Sequence, residues 1–306
     1  MPSKSKKPGS AGRPEPRGAA AAGGAARLRV RKTYKLFIGG AFPRSESGRS
    51  YVVNDSRGEF LANASWASRK DVRDAVVAAR RAFGGWSGKT PYNRGQILYR
   101  IAEMLEGRGR QFVEELRDGG LSREAAEAEV DAAVDRWVWY AGWADKIAQV
   151  AGAVNPVAGP FLNVSTPEPT GVVGMLAPRE SPLLGLVSVL APAIVTGNTA
   201  VVVADSPLVA VTFAEVLATS DLPAGVVNIL TGPREELAPW LAGHMDVNAV
   251  DLAGASEELA NACETAAAGN LKRVLRPAAT DWSADPGTER MTALLETKTV
   301  WHPIGV

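Results

Sequence analysis

Apolar residues recur along the first half of the chain at the spacing of an α-helix. From Asp71 onward Val72, Ala75, Val76, Ala79 and Phe83 share one face, and Gly84-Gly85 predicts the stop. A second helix is predicted from about Asn93, with Ile97, Leu98, Ile101 and Leu105 as its stripe. It continues through Phe112, Val113 and Leu116 to Gly119-Gly120. A third, over roughly 122–149, sets Val134, Trp137, Ala141, Ala144 and Ile147 on one side. Trp137, Trp139 and Trp143 read there as core rather than as a ligand stack. Ahead of these helices, residues 34–38 and 51–53 predict a small β-arm around the turn signal Gly39-Gly40.

Beyond Gly152 the pattern changes to short, continuously apolar runs. Residues 171–177, 200–204, 226–230, 247–252 and 271–275 have buried-strand character. They alternate with helical segments after Pro182, over 208–219, up to Gly243 and over 256–268. Strands alternating with helices of this length predict an α/β fold, an open doubly wound parallel sheet.

Composition adds boundaries. With 306 residues, 46% hydrophobic and 22% charged, the chain has ordinary globular proportions. No apolar run approaches a membrane span and the Ala-rich start lacks a signal-peptide core, so a soluble, cytoplasmic protein is expected, with no membrane partner. Cys263 is the sole cysteine, which excludes an intramolecular disulfide. With only His244 and His302 beside it, no Cys/His zinc site is expected. The net charge of +1 hides an asymmetry. Residues 1–32 carry nine Lys/Arg against Glu15 alone, which leaves 25 basic and 32 acidic residues, a net −7, for the rest. That first segment has almost no large apolar side chains and is expected to be a disordered basic tail. It has no aromatics for base stacking, so no nucleic-acid partner is predicted.

Several ordered stretches resemble the aldehyde dehydrogenase superfamily over about 34–275. They are Glu168-Pro-Thr-Gly-Val-Val-Gly174, Pro182-Leu-Leu, Ala191-Pro-Ala-Ile-Val-Thr-Gly-Asn-Thr199, Leu222-Pro-Ala-Gly-Val-Val-Asn-Ile-Leu-Thr-Gly232 and Asn270-Leu-Lys-Arg-Val274. The resemblance implies a Rossmann-like dinucleotide domain and chemistry in which a cysteine thiolate attacks an aldehyde, hydride passes to NAD(P), and the acyl-enzyme is hydrolysed.

The groups that such chemistry needs are altered here. The family's Pro-Trp-Asn, whose amide helps hold the oxyanion, corresponds to Pro178-Arg179-Glu180, and a carboxylate at Glu180 would repel developing negative charge. The ribose-directed lysine corresponds to Val203, with Asp205 the nearest group for a ribose hydroxyl. The phosphate-facing turn corresponds to 252–259: Gly254 is kept, Ala255 lacks a hydroxyl, Ser256 follows, and Leu259 replaces a glycine. Glu257 and Glu258 sit where a phosphate would meet the helix start. The general-base segment corresponds to Pro277-Ala-Ala-Thr280. Cys263 lies in the helix after the phosphate turn and reads as a buried structural residue, and His244, with no Ser or Cys partner nearby in sequence, reads as structural.

After Thr280 a short polar stretch leads to Leu295-Glu-Thr-Lys-Thr-Val-Trp-His302, which resembles the family's terminal oligomerisation strand. The implied organisation is a basic tail (1–32), an aldehyde dehydrogenase-like N-terminal and dinucleotide domain (33–280), a linker replacing the catalytic domain (281–294) and an assembly strand (295–306). The expectation is a noncatalytic, oxidoreductase-like pseudoenzyme that forms a homo- or hetero-oligomer with a complete aldehyde dehydrogenase through the 152–170 region and the last strand. The missing domain should leave apolar surface for that partner to cover. The alternatives are a residual NAD(P)-binding or regulatory module and an active NAD(P)-dependent aldehyde oxidoreductase. No cofactor is expected. NAD or NADP would be the one if any binds, with Pro178, Asp205, Gly254, Ala255 and Ser256 as residual positions.

Overall fold

A computed structural model describes residues 31–305. The expected disordered tail therefore lies almost wholly outside the described residues. The described residues open with β1 (Thr33–Tyr34), β2 (Ser50–Asn54) and β3 (Phe60–Ser65), a small sheet of order β1-β3-β2. The β-arm thus has one strand more than the sequence pattern predicts, since alternation over 60–65 is blurred by Asn63.

Four helices follow: α1 (Arg69–Ser87), α2 (Pro91–Glu106), α3 (Gly109–Asp118) and α4 (Arg123–Trp143). Ser68 caps α1, accepting from Asp71 N, while Asp71 accepts from Ser68 N at 2.7 Å. This reciprocal box satisfies donors at the helix start. The helix does not stop at Gly84-Gly85 but runs to Ser87. The reason is tertiary: Trp86 is fully buried and its Nε1 donates to Ile194 O at 2.9 Å, which outweighs the modest cost of two helical glycines. The predicted 122–149 helix is likewise two pieces, α4 and then α5 (Ile147–Ala151). Trp137 is buried and stacks on Phe213 with ring centroids 6.0 Å apart, while Trp139 and Trp143 pack against the same core.

The centre of the fold is a parallel sheet. β6 (Val172–Leu176), α6 (Leu184–Val195), β7 (Thr199–Ala204), α7 (Pro207–Ala218), β8 (Val227–Thr231), α8 (Arg234–Ala242), β9 (Ala249–Asp251), α9 (Glu257–Ala267) and β10 (Arg273–Leu275) alternate after two strands, β4 (Ala153–Asn155) and β5 (Phe161–Pro169). The strand order is β10-β9-β6-β7-β8, every pair parallel. Helices cover both faces. Val173, Met175, Ala200 and Val202 pack toward α2, α4, α6 and α7, whereas Val172, Leu176, Val201 and Val203 pack toward α1, α8 and α9. Every residue of β6 and β7 is buried, as expected for strands covered on two sides. The chain builds β6, β7 and β8 outward, then crosses back to place β9 on the other side of β6. In such sheets ligands bind beyond the carboxyl ends of the strands where the order reverses.

The last elements are α10 (Glu289–Ala293) and β11 (Leu295–Pro303). β11 runs antiparallel to β5 from Leu295↔Pro169 to Pro303↔Phe161, making a third sheet of order β11-β5-β4. The terminal strand therefore finds a sheet edge within its own chain, and a neighbouring chain is not needed to pair that side. Val154 and Val300 both oppose Val164, so they share a face with Leu162; the three are 71, 46 and 42% exposed.

The expectation of a bare lobe above a polar linker also changes. Trp282, Met291 and Leu294 of the connecting segment are buried in the main core. Asn198, fully buried at the start of β7, accepts from Gly171 N at 2.8 Å and donates to Leu294 O at 2.9 Å. One amide thus ties the central sheet to the last helix and strand.

Candidate functional site

The carboxyl ends of β6, β7, β8 and β9 converge on one side chain, Arg234, the first residue of α8. It is 1% exposed. Its Nη2 donates to Ala177 O at 3.0 Å, just beyond β6, and its Nη1 donates to Gly254 O, beyond β9. Its Nε lies 2.8 Å from Asp205 Oδ2, beyond β7, as an ion contact without hydrogen-bond alignment. Asp205 Oδ2 also accepts from Arg179 Nε at 2.5 Å, and Arg179 reaches Glu235 at 3.2 Å. A cation at a helix N-terminus is opposed by the helix dipole, so this placement depends on Asp205 and the two carbonyls.

Gly254 is required by the same packing. A Cβ there would lie 2.2 Å from Ala177 O and 2.6 Å from Arg234 Nη1. The glycine that the resemblance sets beside a phosphate is here pressed against an arginine of the chain itself.

The remaining predicted positions are distributed around this centre. Pro178 is buried beside Gly185 at the start of α6. Val203 is fully buried in the core between β7 and α1. Ser256 caps α9, accepting from Leu259 N at 3.3 Å, and Leu259 is core. Ala255 is half-buried. Glu257 and Glu258 are exposed in the first turn of α9, with Glu257 paired to Arg276. Pro277 follows β10 and brings no titratable group. The structure brings Asp205 and Gly254 together around Arg234, and it separates Val203 and Ser256 from them by turning one into core and the other into a cap.

Glu180 has a partner that sequence reasoning did not supply. Trp282 Nε1 donates to Glu180 Oε1 at 2.9 Å. Arg136 Nη2 donates to Trp282 O and to Ala284 O, both at 2.8 Å, and its Nη1 to Ser188 Oγ at 2.7 Å. Arg290 pairs with Asp251, which is 1% exposed, and lies 5.2 Å from the Trp282 ring. Burial pushes the Asp251 carboxyl up, and Arg290 opposes that shift. The segment after β10 thus docks onto the sheet's carboxyl end through one tryptophan and one arginine.

Cys263 is fully buried and its thiol is pushed up to about 11 by burial, so little thiolate exists near neutrality. His244 Nδ1 accepts from Asp246 N at 3.2 Å; burial lowers its pKa. No cluster of three or more His, Cys, Asp or Glu placed to hold a metal occurs among the described residues.

A dinucleotide needs free backbone donors or an unneutralised cation where its pyrophosphate would lie. Here the crevice is occupied by the Arg234 guanidinium, neutralised by Asp205 and capped by two carbonyls, while acids flank the start of α9. These pairings and acids disfavour a pyrophosphate at that point.

An open doubly wound sheet, a helical N-terminal layer and a three-stranded antiparallel extension define a dinucleotide-domain architecture, with Arg234 packed among the strand ends. Residues 42–276 match the aldehyde dehydrogenase family, and the chain belongs to it. It is 34% identical to the putative aldehyde dehydrogenase DhaS of Bacillus subtilis over 249 residues, covering 79% of this chain and 50% of that protein. Cytosolic 10-formyltetrahydrofolate dehydrogenase of Mus musculus is 33% identical, with 81% of this chain and 28% of that protein covered. Among solved structures, a putative aldehyde dehydrogenase from Burkholderia cenocepacia superposes with a TM-score of 0.75 at 32% identity, covering 78% of this chain and 49% of the other. An NAD-dependent aldehyde dehydrogenase from Sinorhizobium meliloti gives 0.76 at 27% identity, over 82 and 51%. The chain spans about half of the length of these relatives, or less.

Proposed function

We propose that this chain is a noncatalytic aldehyde dehydrogenase-like subunit that assembles with a complete member of the family. The observation that carries the noncatalytic reading is the pairing of Arg234 at the strand ends. Arg234 and Asp205 neutralise each other where a cofactor phosphate would lie, Glu180 is engaged by Trp282, and the one cysteine is a buried thiol. An aldehyde dehydrogenase from Bacillus cereus with a related fold is known as an NAD+ complex.

The assembly reading rests on the third sheet. Val154, Leu162 and Val300 form an exposed apolar face, and the outer edge of β11 has no strand beside it among the described residues. Unpaired strand edges beside apolar surface are favourable places for another chain to add. The location we propose is the cytoplasm, in keeping with a lone reduced cysteine; no helix among the described residues is long and apolar enough to cross a membrane.

The test is light scattering of the chain alone and mixed with a complete aldehyde dehydrogenase, beside calorimetry with NAD and NADP. The reading expects a defined oligomer and no cofactor heat. A monomer under both conditions refutes the assembly role, and a micromolar dissociation constant for either nucleotide turns the assignment to a residual dinucleotide-binding module.

A further inference from the structure

We propose that a groove between α1, α8 and α9, distinct from the filled crevice, binds a small ring-bearing oxyanion, an aromatic carboxylate or phosphate ester. The groove has a volume of about 840 Å³ and is lined by Arg69, Lys70, Arg73, His244 and Trp240, with no acidic side chain among its walls. This is the reverse of the chain around it, since residues 33–306 carry 25 basic against 32 acidic groups. A ligand pocket of this size accommodates a small organic molecule.

The key contact is between Arg69 and Trp240. The guanidinium carbon lies 3.9 Å from the indole centroid, and Trp240 is 46% exposed. A guanidinium held over an aromatic face keeps its planar N–H fork directed outward along its edges, a geometry that suits two oxygens of a carboxylate or phosphate. Lys70 and Arg73 have acid partners, Glu46 and Asp74, whereas Arg69 has no carboxylate within ion-pair distance among the described residues. Arg69 is therefore the cation available to an incoming anion, with the other two adding field.

The other walls supply an apolar floor and a neutral donor. Val72, Pro239 and Ala266 are apolar. His244 Nδ1 already accepts from Asp246 N, which places the ring proton on Nε2, and burial favours this uncharged form. A flat ring resting against Trp240 and the apolar floor, with its oxyanion in the Arg69 fork, uses each of these features. Along α8 Trp240 lies six residues from Arg234, about 9 Å at the helical rise, and Arg234 is not among the groove's walls.

Titration calorimetry on the full chain with 1-naphthyl phosphate tests the site, with 1-naphthol and inorganic phosphate as the ring-only and anion-only probes. The expected result is a dissociation constant below about 1 mM for 1-naphthyl phosphate, at least about tenfold tighter than either control. Arg69→Gln should weaken it about tenfold without changing the circular dichroism spectrum, because Arg69 is exposed and outside the core. Trp240→Ala should weaken it comparably. The proposal is overturned by no saturable binding up to about 10 mM, by equal affinity for 1-naphthol, or by an Arg69→Gln chain that binds as well as the original.

Discussion

The crevice at the carboxyl end of the parallel sheet and the face of the three-stranded sheet answer their chemistry in opposite ways. In the crevice, Arg234, Asp205, Glu180, Trp282, Arg136, Arg290 and Asp251 each have a partner in the same chain, although Asp205 Oδ1 and Arg234 Nε make no hydrogen bond. On the sheet, Val154, Leu162 and Val300 stay 71, 42 and 46% exposed. Buried polar groups must be matched, because an unmatched one costs several kcal/mol, whereas exposed apolar side chains cost little until a partner covers them. The crevice is closed as a matter of folding stability; the sheet is open at small cost. A role in assembly is sought where the surface is open.

The largest effect is expected at the centre of the crevice. Arg234→Ala removes the buried partner of two carbonyls and one carboxylate and should cost about 3–5 kcal/mol in urea unfolding. A loss below about 1 kcal/mol would break the comparison, because it would mean the crevice is not held by internal pairing.

Next is the docked segment. Trp282→Ala removes a nearly buried indole and leaves Glu180 without its donor, so a cost of about 3 kcal/mol is expected by thermal or urea unfolding. Glu180→Gln keeps an acceptor for Trp282 Nε1 and should change stability by less than about 1 kcal/mol. Equal effects from the two substitutions would show that the carboxylate charge, rather than the packing, holds the segment.

A third test uses pH. Glu115 is buried at the junction of β1, α3 and α7, where its Oε1 accepts from Thr212 at 2.7 Å and Gln111 at 3.1 Å, and its Oε2 has no partner. Burial raises its pKa from an ordinary value of 4.5 to about 7, against the smaller lowering effects of Thr212, Gln111 and Lys32. A folded-state pKa above the unfolded value means the folded chain holds the proton more tightly. The stabilisation is complete below about pH 4.5 and is lost as pH rises through about 7, on the order of 3 kcal/mol. Stability curves at pH 5 and pH 8 should show this decline, and Glu115→Gln should flatten it. Asp251, also raised by burial, would retain its own part of the slope.

The smallest effect on the isolated chain is expected at the open sheet. Val300→Lys should alter stability by no more than about 0.5 kcal/mol and yet abolish association with a complete family member, read by light scattering. This is cleaner than deleting the terminal segment from 294 onward, because Leu294 and Leu295 are core and β11 pairs with β5 within the chain. Unchanged association in Val300→Lys would move the interface off this face.

Much of the fold was legible from local pattern. The runs around Val173, Val202 and Ile229 alternate with helical segments, and that alone implies a covered parallel sheet. The stop at Gly84-Gly85 was misread because the competing interaction is Trp86 with Ile194 O, residues 108 positions apart. The site was legible only as losses: Glu180, Val203, Ala255, Leu259 and Pro277 are poor groups for the chemistry of the resembled family. Arg234 went unnoticed, although a signal existed. A basic residue in the first turn, just after Gly232-Pro233, runs against the usual preference for acids there.

Sequence by itself determined the class of fold, the family and the absence of a second cysteine, since these depend on residue type and on periodicities only a few residues long. Tertiary structure alone decided that Arg234 fills the crevice, that Trp282 and Arg290 dock the segment after β10, and that β11 pairs with β5. Each of those joins residues far apart in the chain, and a guanidinium, an indole or a strand edge takes its meaning from the oxygens and backbone groups that folding brings to it.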